Sequence, residues 1–235
     1  MGKFLHAYFS PLGLRRAVPQ VWDGFQTNIK LMVIAEILVL ILALVVAIVR
    51  GLPGRWSLPF RGLAVVYTDF FRGTPLILVA YVIALGLPAL KIAVISGQSL
   101  FVYGIASLTL VYTAYVTEVY RAGIESVHPS QRMAARSLGL TYAQTMSHVI
   151  LPQAIRRVVP PLLNDFIGLQ KDTAIITVIG LTEAIAQAGF YSNDFFSYAG
   201  YMVAAIFFVI LTIPFARFTD HLIKQREQRE RAQLV

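Results

Sequence analysis

Apolar residues fall into runs of helix length separated by short polar stretches, and these runs predict five membrane spans at roughly 29–49, 74–94, 100–120, 160–181 and 201–218. Each approaches the roughly 20 residues an α-helix needs to cross a hydrocarbon core of about 30 Å. The fourth run is the weakest, because Asn164, Asp165, Lys171, Asp172 and Thr173 interrupt it. Such a segment survives in a membrane only if its polar side faces protein or water. The stretch 182–200 holds Gly, Ser, Asn and aromatic residues with no basic residue, which predicts a loop resting at the interface. Ahead of the first run lies an amphipathic leader with Phe4, Tyr8, Phe9 and Trp22, which reads as an interfacial segment over 1–28. No small-residue cleavage site follows it, so the first run is expected to be a retained span and not a signal peptide.

The expected organisation is an N-terminal interfacial segment (1–28), one all-α transmembrane domain (29–218) with a long polar loop at about 121–157, and a basic tail (219–235). Composition agrees: 57% of residues are hydrophobic, 14% are charged, and the mean hydropathy is +0.68. That apolar share exceeds the roughly half found in ordinary globular domains. The runs are spread along the whole chain, leaving no room for a soluble domain of typical size. With no cysteine there is no disulfide framework and no thiolate metal site, and no metal site is expected.

Basic residues set the expected orientation, because they accumulate on the cytoplasmic side. Arg50, Arg55, Arg61 and Arg72 follow span one; Arg121, Arg132, Arg136, Arg156 and Arg157 follow span three; Arg217, Lys224, Arg226, Arg229 and Arg231 follow span five. The other two loops carry only Lys91. The N-terminus is therefore expected outside and the C-terminus inside, against the smaller set Lys3, Arg15, Arg16 and Lys30. The tail mixes its basic residues with Glu227 and Glu230, as a solvated helix end near anionic lipid does. These charges sit beside spans without interleaved aromatics, so no nucleic-acid partner is expected.

Punctuation in the loop predicts two short helices. Pro129 suits a first helical position and Gly139 the left-handed residue that ends the helix. Thr141 and Gln144 form a capping-box pattern for the second helix, with Tyr142, Met146, Val149 and Ile150 expected on one face. Ala134 and Ala135 leave a flat surface suited to docking, although an ordinary interfacial hairpin has the same periodicity.

The run Met133-Ala134-Ala135, three residues, Gly139, nine residues, Val149, one residue, Leu151-Pro152 resembles the loop signature of permeases in ATP-binding-cassette importers. Arg72-Gly73-Thr74-Pro75, Arg136-Ser137-Leu138-Gly139, Leu151-Pro152-Gln153-Ala154 and Lys171-Asp172-Thr173 are similar to the polar amino-acid uptake subfamily, which includes histidine, glutamine and arginine permeases. The likeness runs from about residue 25 to the C-terminus. It departs from the family at Met133, where Glu is usual, and at Ala174, where Ser commonly follows Lys-Asp-Thr. The resemblance implies a type I importer permease in a bacterial inner membrane, working with a second permease, two ATPase subunits, a solute-binding protein and an amino-acid substrate. It implies that Arg132, Met133, Ala134, Ala135, Arg136, Gly139 and Leu140 couple to the ATPase. The chain has no Gly-Lys-Ser or Gly-Lys-Thr phosphate loop, so it is expected not to be an enzyme and to hold no cofactor, with ATP and magnesium on the partner.

If Pro160 and Pro161 mark the inner boundary of span four, Lys171 lies about 15 Å deeper, about halfway through the core. An unpaired charge there costs at least about 2.5–3.5 kcal/mol. Lys171 and Asp172 are thus expected to pair with each other or to line a water-filled path, with Asn164 seven residues back on the same face. They suit either the two charges of an amino acid or a structural ion pair. Glu36, midway through span one, pairs with Lys171 or a neighbouring subunit, or else meets a cationic solute. Glu36, Asn164, Lys171, Asp172 and Thr173 are the candidate path residues. Glu118 and Arg121 read as a local helix pair. The competing reading is an ion-gradient-driven secondary transporter or channel, but such folds commonly carry repeats, and none is evident; a non-transporting scaffold is a third.

Overall fold

The computed structural model describes residues 7–92 and 94–232, and these are helical with no strand. The elements are α1 (Pro11–Gly51), α2 (Leu58–Gly73), α3 (Leu76–Tyr81), α4 (Leu87–Ala89), α5 (Leu100–Glu125), α6 (Pro129–Ser137), α7 (Tyr142–Thr145), α8 (Leu151–Asp172), α9 (Ala184–Phe195) and α10 (Ala199–Ala232). A π-helical stretch, Val82–Gly86, joins α3 to α4, and another, Met146–Ile150, joins α7 to α8. Three helices are long and apolar enough to cross a membrane, or up to five if each bent pair counts as one span. The bends are 107° between α2 and the α3–α4 segment, and 54° at Gly180, before α9.

Burial identifies α5 as the central helix. Of its most apolar window 61% is buried, against 22% for α1 and α10, whose outer faces are apolar and exposed. Around α5 pack α1, α2, α3 and α8, and α10 closes against α1 and α8. The main core joins Leu31, Ala35 and Val39 of α1 to Leu108, Val111 and Val116 of α5 and to Leu169 and Ile176 beyond.

The chain makes no break at residue 28. Ser10 caps α1 by accepting a hydrogen bond from the Gly13 N–H, and the helix then runs 41 residues, roughly 60 Å at about 1.5 Å per residue. Residues 11–28 form its first half instead of a separate surface helix. Ala17, Val21 and Phe25 pack into a second core with Ala184, Ala188 and Tyr191 of α9 and Val203 of α10, and Trp22 meets Phe25 at a tilt and Phe207 edge-on. Phe4 lies outside the described residues, as do residues 233–235 and the side chains of Arg226, Arg229 and Arg231 in the tail.

Two further expectations change. The predicted loop 182–200 contains α9: Glu183 caps it by accepting from the Ala186 N–H at 2.9 Å, and Ala184, Ala186 and Ala188 favour helix. Pro160 and Pro161 do not start a helix but lie inside α8, nine and ten residues after its first residue.

The bend before α9 is held by buried polar groups. The Asn28 amide donates to Thr173 Oγ1 at 3.1 Å and Glu183 Oε2 at 3.0 Å, and its Oδ1 accepts from the Ala184 N–H at 3.0 Å. Gln170, also buried, accepts from the Thr212 hydroxyl at 2.8 Å and ties α8 to α10. Gly24 lets α1 approach this corner, since a Cβ there would lie 2.5 Å from the Glu183 carbonyl oxygen. That atom is backbone and cannot rotate away. Gly24→Ala is therefore expected to lower stability by about 1–3 kcal/mol, while Gly62→Ala, with nothing within 4 Å of the new Cβ, should be neutral or slightly stabilising. Thermal unfolding of the two variants in detergent checks this.

Candidate functional site

Two polar regions stand out: a helical hairpin at one end of the bundle, and a set of charges between α1, α5 and α8. In the hairpin, His128 Nδ1 accepts from the Ser130 N–H at the start of α6. At its end the Leu140 N–H reaches the Ala135 carbonyl and the Gly139 N–H reaches that of Arg136, a Schellman closure around Gly139 at φ +78. Thr141 and Gln144 then form the reciprocal capping box. The predicted helix, glycine turn and helix are all present.

The hairpin's faces differ from the sequence reading at two positions. Ala135 is buried and turned into the hairpin, where Thr145 is also buried, so Ala134 and not Ala135 is presented outward. Tyr142 is 73% exposed, whereas Ile150 is buried with Val127 and Ala154. The π-helical turn between them shifts the register that a uniform 3.6-residue period assumes. Arg132, Met133, Ala134, Arg136, Leu138 and Gly139 are exposed and Leu140 half-buried. The hairpin thus shows a basic and apolar face that no described residue covers.

Between this hairpin and the membrane-length helices sits a charge cluster. Glu118 pairs with Arg50 of α1, with Arg121 at 2.8 Å and with Arg72 of α2 at 4.0 Å, and Arg121 also reaches Glu125 at 2.5 Å. The expected Glu118–Arg121 pair is present, but Glu118 is also the acid joining three helices, only 15% exposed. Sequence spacing could not show the long-range partners. Arg157 donates to the Ser126 carbonyl and ties α8 to the hairpin's base. Gly123 permits α5 and α8 to cross closely beside it, since a Cβ would overlap Val158 at 2.0 Å.

The candidate path residues do not all converge. Asn164 and Lys171 are both exposed and seven residues apart on α8. Lys171 makes no ion pair among the described residues, and Asp172 instead accepts from the Tyr112 hydroxyl of α5 at 2.8 Å. The expected Lys171–Asp172 salt bridge is therefore replaced by the tyrosine contact. Glu36 likewise makes no ion pair with Lys171 among the described residues. Thr173 is fully buried in the Asn28 corner. Asp165, not among the candidates, borders a cavity of about 390 Å³ with Arg72, Tyr115, Glu118, Arg157 and Pro161. Only its place in the interrupted apolar run signalled it.

The family described as binding-protein-dependent transport system inner membrane component matches residues 43–228. The chain belongs to that family. It is 36% identical over 207 residues to the "Probable glutamine ABC transporter permease protein" of Bacillus subtilis (strain 168), covering 88% of this chain and 93% of that protein. It is 34% identical over 198 residues to the arginine transport system permease protein of the same organism, covering 83% of this chain and 88% of that one. A solved structure of an amino acid ABC transporter with histidines superposes with a TM-score of 0.83 at 31% identity, covering 92% of this chain and 97% of that chain. The chain is thus a multi-pass inner-membrane transport component of the ABC importer class, which works with permease, ATPase and substrate-binding components. The permease expectation from the loop motif is borne out.

If Glu118 holds three helices together, Arg50→Ala and Glu118→Gln should each destabilise the protein and together cost less than their sum, with a coupling of about 1 kcal/mol or more. A double-mutant cycle on thermal unfolding measures that coupling.

Proposed function

We propose that the chain is the translocation subunit of an importer for polar amino acids, coupled to separate ATPase subunits through the α6–α7 hairpin. The hairpin's uncovered face carries the reading: Met133, Leu138 and Tyr142 are 63%, 82% and 73% exposed beside Arg132 and Arg136. Apolar side chains exposed that far on a polar loop mark an interaction surface. The rigid Schellman and capping-box closures would transmit a push from that surface to α5 and α8. Arg132, Met133, Ala134, Arg136, Gly139 and Leu140 form the docking element in this reading, with Ala135 shaping it from inside.

The full assembly is proposed as two permease subunits, two ATPase subunits and an extracellular or periplasmic solute-binding protein, with ATP and magnesium bound by the ATPases and none on this chain. Amino-acid substrate is supported by relatives named as glutamine and arginine permeases and by the neighbour named as an amino acid transporter. The path runs past Glu36, Asn164, Lys171 and Asp172. The hairpin faces the cytoplasm and the N-terminus the outside, as the basic-residue count argues.

The orientation is open to direct test, because the chain has no cysteine of its own. Asn193→Cys should react with an impermeant thiol reagent from outside and Ser137→Cys should not; the reverse pattern would overturn the orientation. Coupling is tested at two other positions. At Gly139, φ is +78 and the space around a new Cβ is open, so Gly139→Val fails only by backbone conformation. Ala134→Arg puts a charge on the outward face without entering the hairpin. Both variants should insert normally yet lose most ATPase association in co-purification. Undiminished association in both would reduce the hairpin to a connector.

A further inference from the structure

A cavity of about 470 Å³ opens where the end of α1, the start of α2 and the last turn of α5 meet. Its charged wall consists of three guanidinium groups, Arg50, Arg61 and Arg121, and one carboxylate, Glu125. Glu118 holds Arg50 and Arg121, and Glu125 also holds Arg121. Arg61 is half-buried and makes no ion pair or side-chain hydrogen bond among the described residues. Three arginines therefore meet two acids, and one positive charge is left unanswered inside a concave site.

The rest of the wall is largely apolar, from Ala47 of α1, Leu58 and Val65 of α2 and Ile124 of α5. At Gly51 and Gly62, which also line it, an added Cβ would meet nothing within 4 Å, so the site has open room at both. Leu44 and Ile48 of α1 and Leu63 and Val66 of α2 lie within one turn of these lining residues and are exposed. Trp56 and Phe60 at the start of α2 are exposed too, as aromatic residues are at the level of lipid headgroups. Arginines at the ends of membrane helices reach that level, their stems lying on apolar surface and their charged heads beyond it.

These features select among ligands. A soluble anion answers the charge but leaves the apolar wall wet. A zwitterionic phospholipid covers the wall, but its own ammonium already neutralises its phosphate. A phosphodiester with one net negative charge and two acyl chains meets both demands. We propose that this cavity binds the headgroup of one anionic phospholipid, with the phosphodiester at Arg61 and the acyl chains against the exposed apolar residues of α1 and α2. The site goes beyond the importer reading, and depends neither on the solute carried nor on the orientation of the chain. Its volume lies within the range of about 300–1,000 Å³ usual for small-molecule sites.

The test is a lipid titration of the purified permease complex in detergent, read by native mass spectrometry as the apparent affinity for the first phosphatidylglycerol bound, with phosphatidylcholine and inorganic phosphate in separate arms. One basic residue near the membrane surface is worth about fivefold in affinity for an anionic lipid. Phosphatidylglycerol should therefore bind about fivefold or more tightly than phosphatidylcholine, and inorganic phosphate in large excess should not displace it. Arg61→Gln should remove most of that preference. Gly62→Leu, which fills the site and alters no charge, should weaken phosphatidylglycerol binding as well. Arg55→Gln, at an exposed position outside the cavity, should leave it unchanged. Equal binding of the two lipids by the unaltered complex, or displacement of phosphatidylglycerol by inorganic phosphate, would overturn the proposal with no variant needed. An unchanged preference in Arg61→Gln, as when a partner subunit covers the cavity, would overturn it too. So would an equal loss in Arg55→Gln, the mark of diffuse attraction to basic surface and not of a site.

Discussion

Within hydrocarbon a backbone or side-chain polar group has no water to fall back on, so every interruption of a helix must be satisfied from inside the protein. In this chain one such interruption follows α8, where a 3-10 stretch, Thr173–Ile179, and the left-handed Gly180 turn the chain into α9. One side chain, Asn28, meets that requirement by bonding Thr173, Glu183 and the first N–H of α9. Glu183 in turn caps α9 with its other oxygen. Because Asn28 belongs to the longest described helix, the same three bonds fix α1 against the broken span. The closeness of α1 to this corner, possible only with glycine at position 24, is part of the same device.

A second constraint governs the other end. Glu118, carried by the central helix, draws together arginines from α1, α2 and its own next turn. The hairpin is attached just beyond, through Arg157 and the small core of Val127, Ile150 and Ala154. A displacement of the hairpin therefore has a short, stiff route into the central helix α5 and into α8, which bears Asn164, Lys171 and Asp172. That arrangement suits a subunit that is moved by a partner and holds no energy source of its own.

Much of this was legible in the sequence, and the failures have specific causes. The first, third and fifth apolar runs fall on the three membrane-length helices because lipid demands about 20 apolar residues irrespective of tertiary context, whereas the second and fourth fall on bent pairs. The hairpin was legible because Gly139, Thr141 and Gln144 act through local backbone geometry. By contrast α9 was read as a loop: its Gly, Ser, Asn and aromatic residues resemble a loop, while its cap, Glu183, is secured by a residue more than 150 positions away. The Lys171–Asp172 pair was inferred from the cost of an unpaired charge at depth, but successive residues on a helix point in different directions, and Asp172 turns to Tyr112. Ala135 was assigned outward with Ala134 because both are small, whereas the Schellman turn folds Ala135 inward. Asp165 carried no motif at all, and its want of a partner is visible only once three helices are assembled.

The central claim is that ATP hydrolysis by a partner moves a solute through this chain. It is tested most directly in proteoliposomes containing the permease with its ATPase and solute-binding partners, by measuring ATP hydrolysis and solute uptake together while ion gradients are collapsed with ionophores. The account predicts that solute raises ATP hydrolysis and that uptake survives the ionophores. Uptake that ends when the gradients collapse and continues without ATP would contradict it.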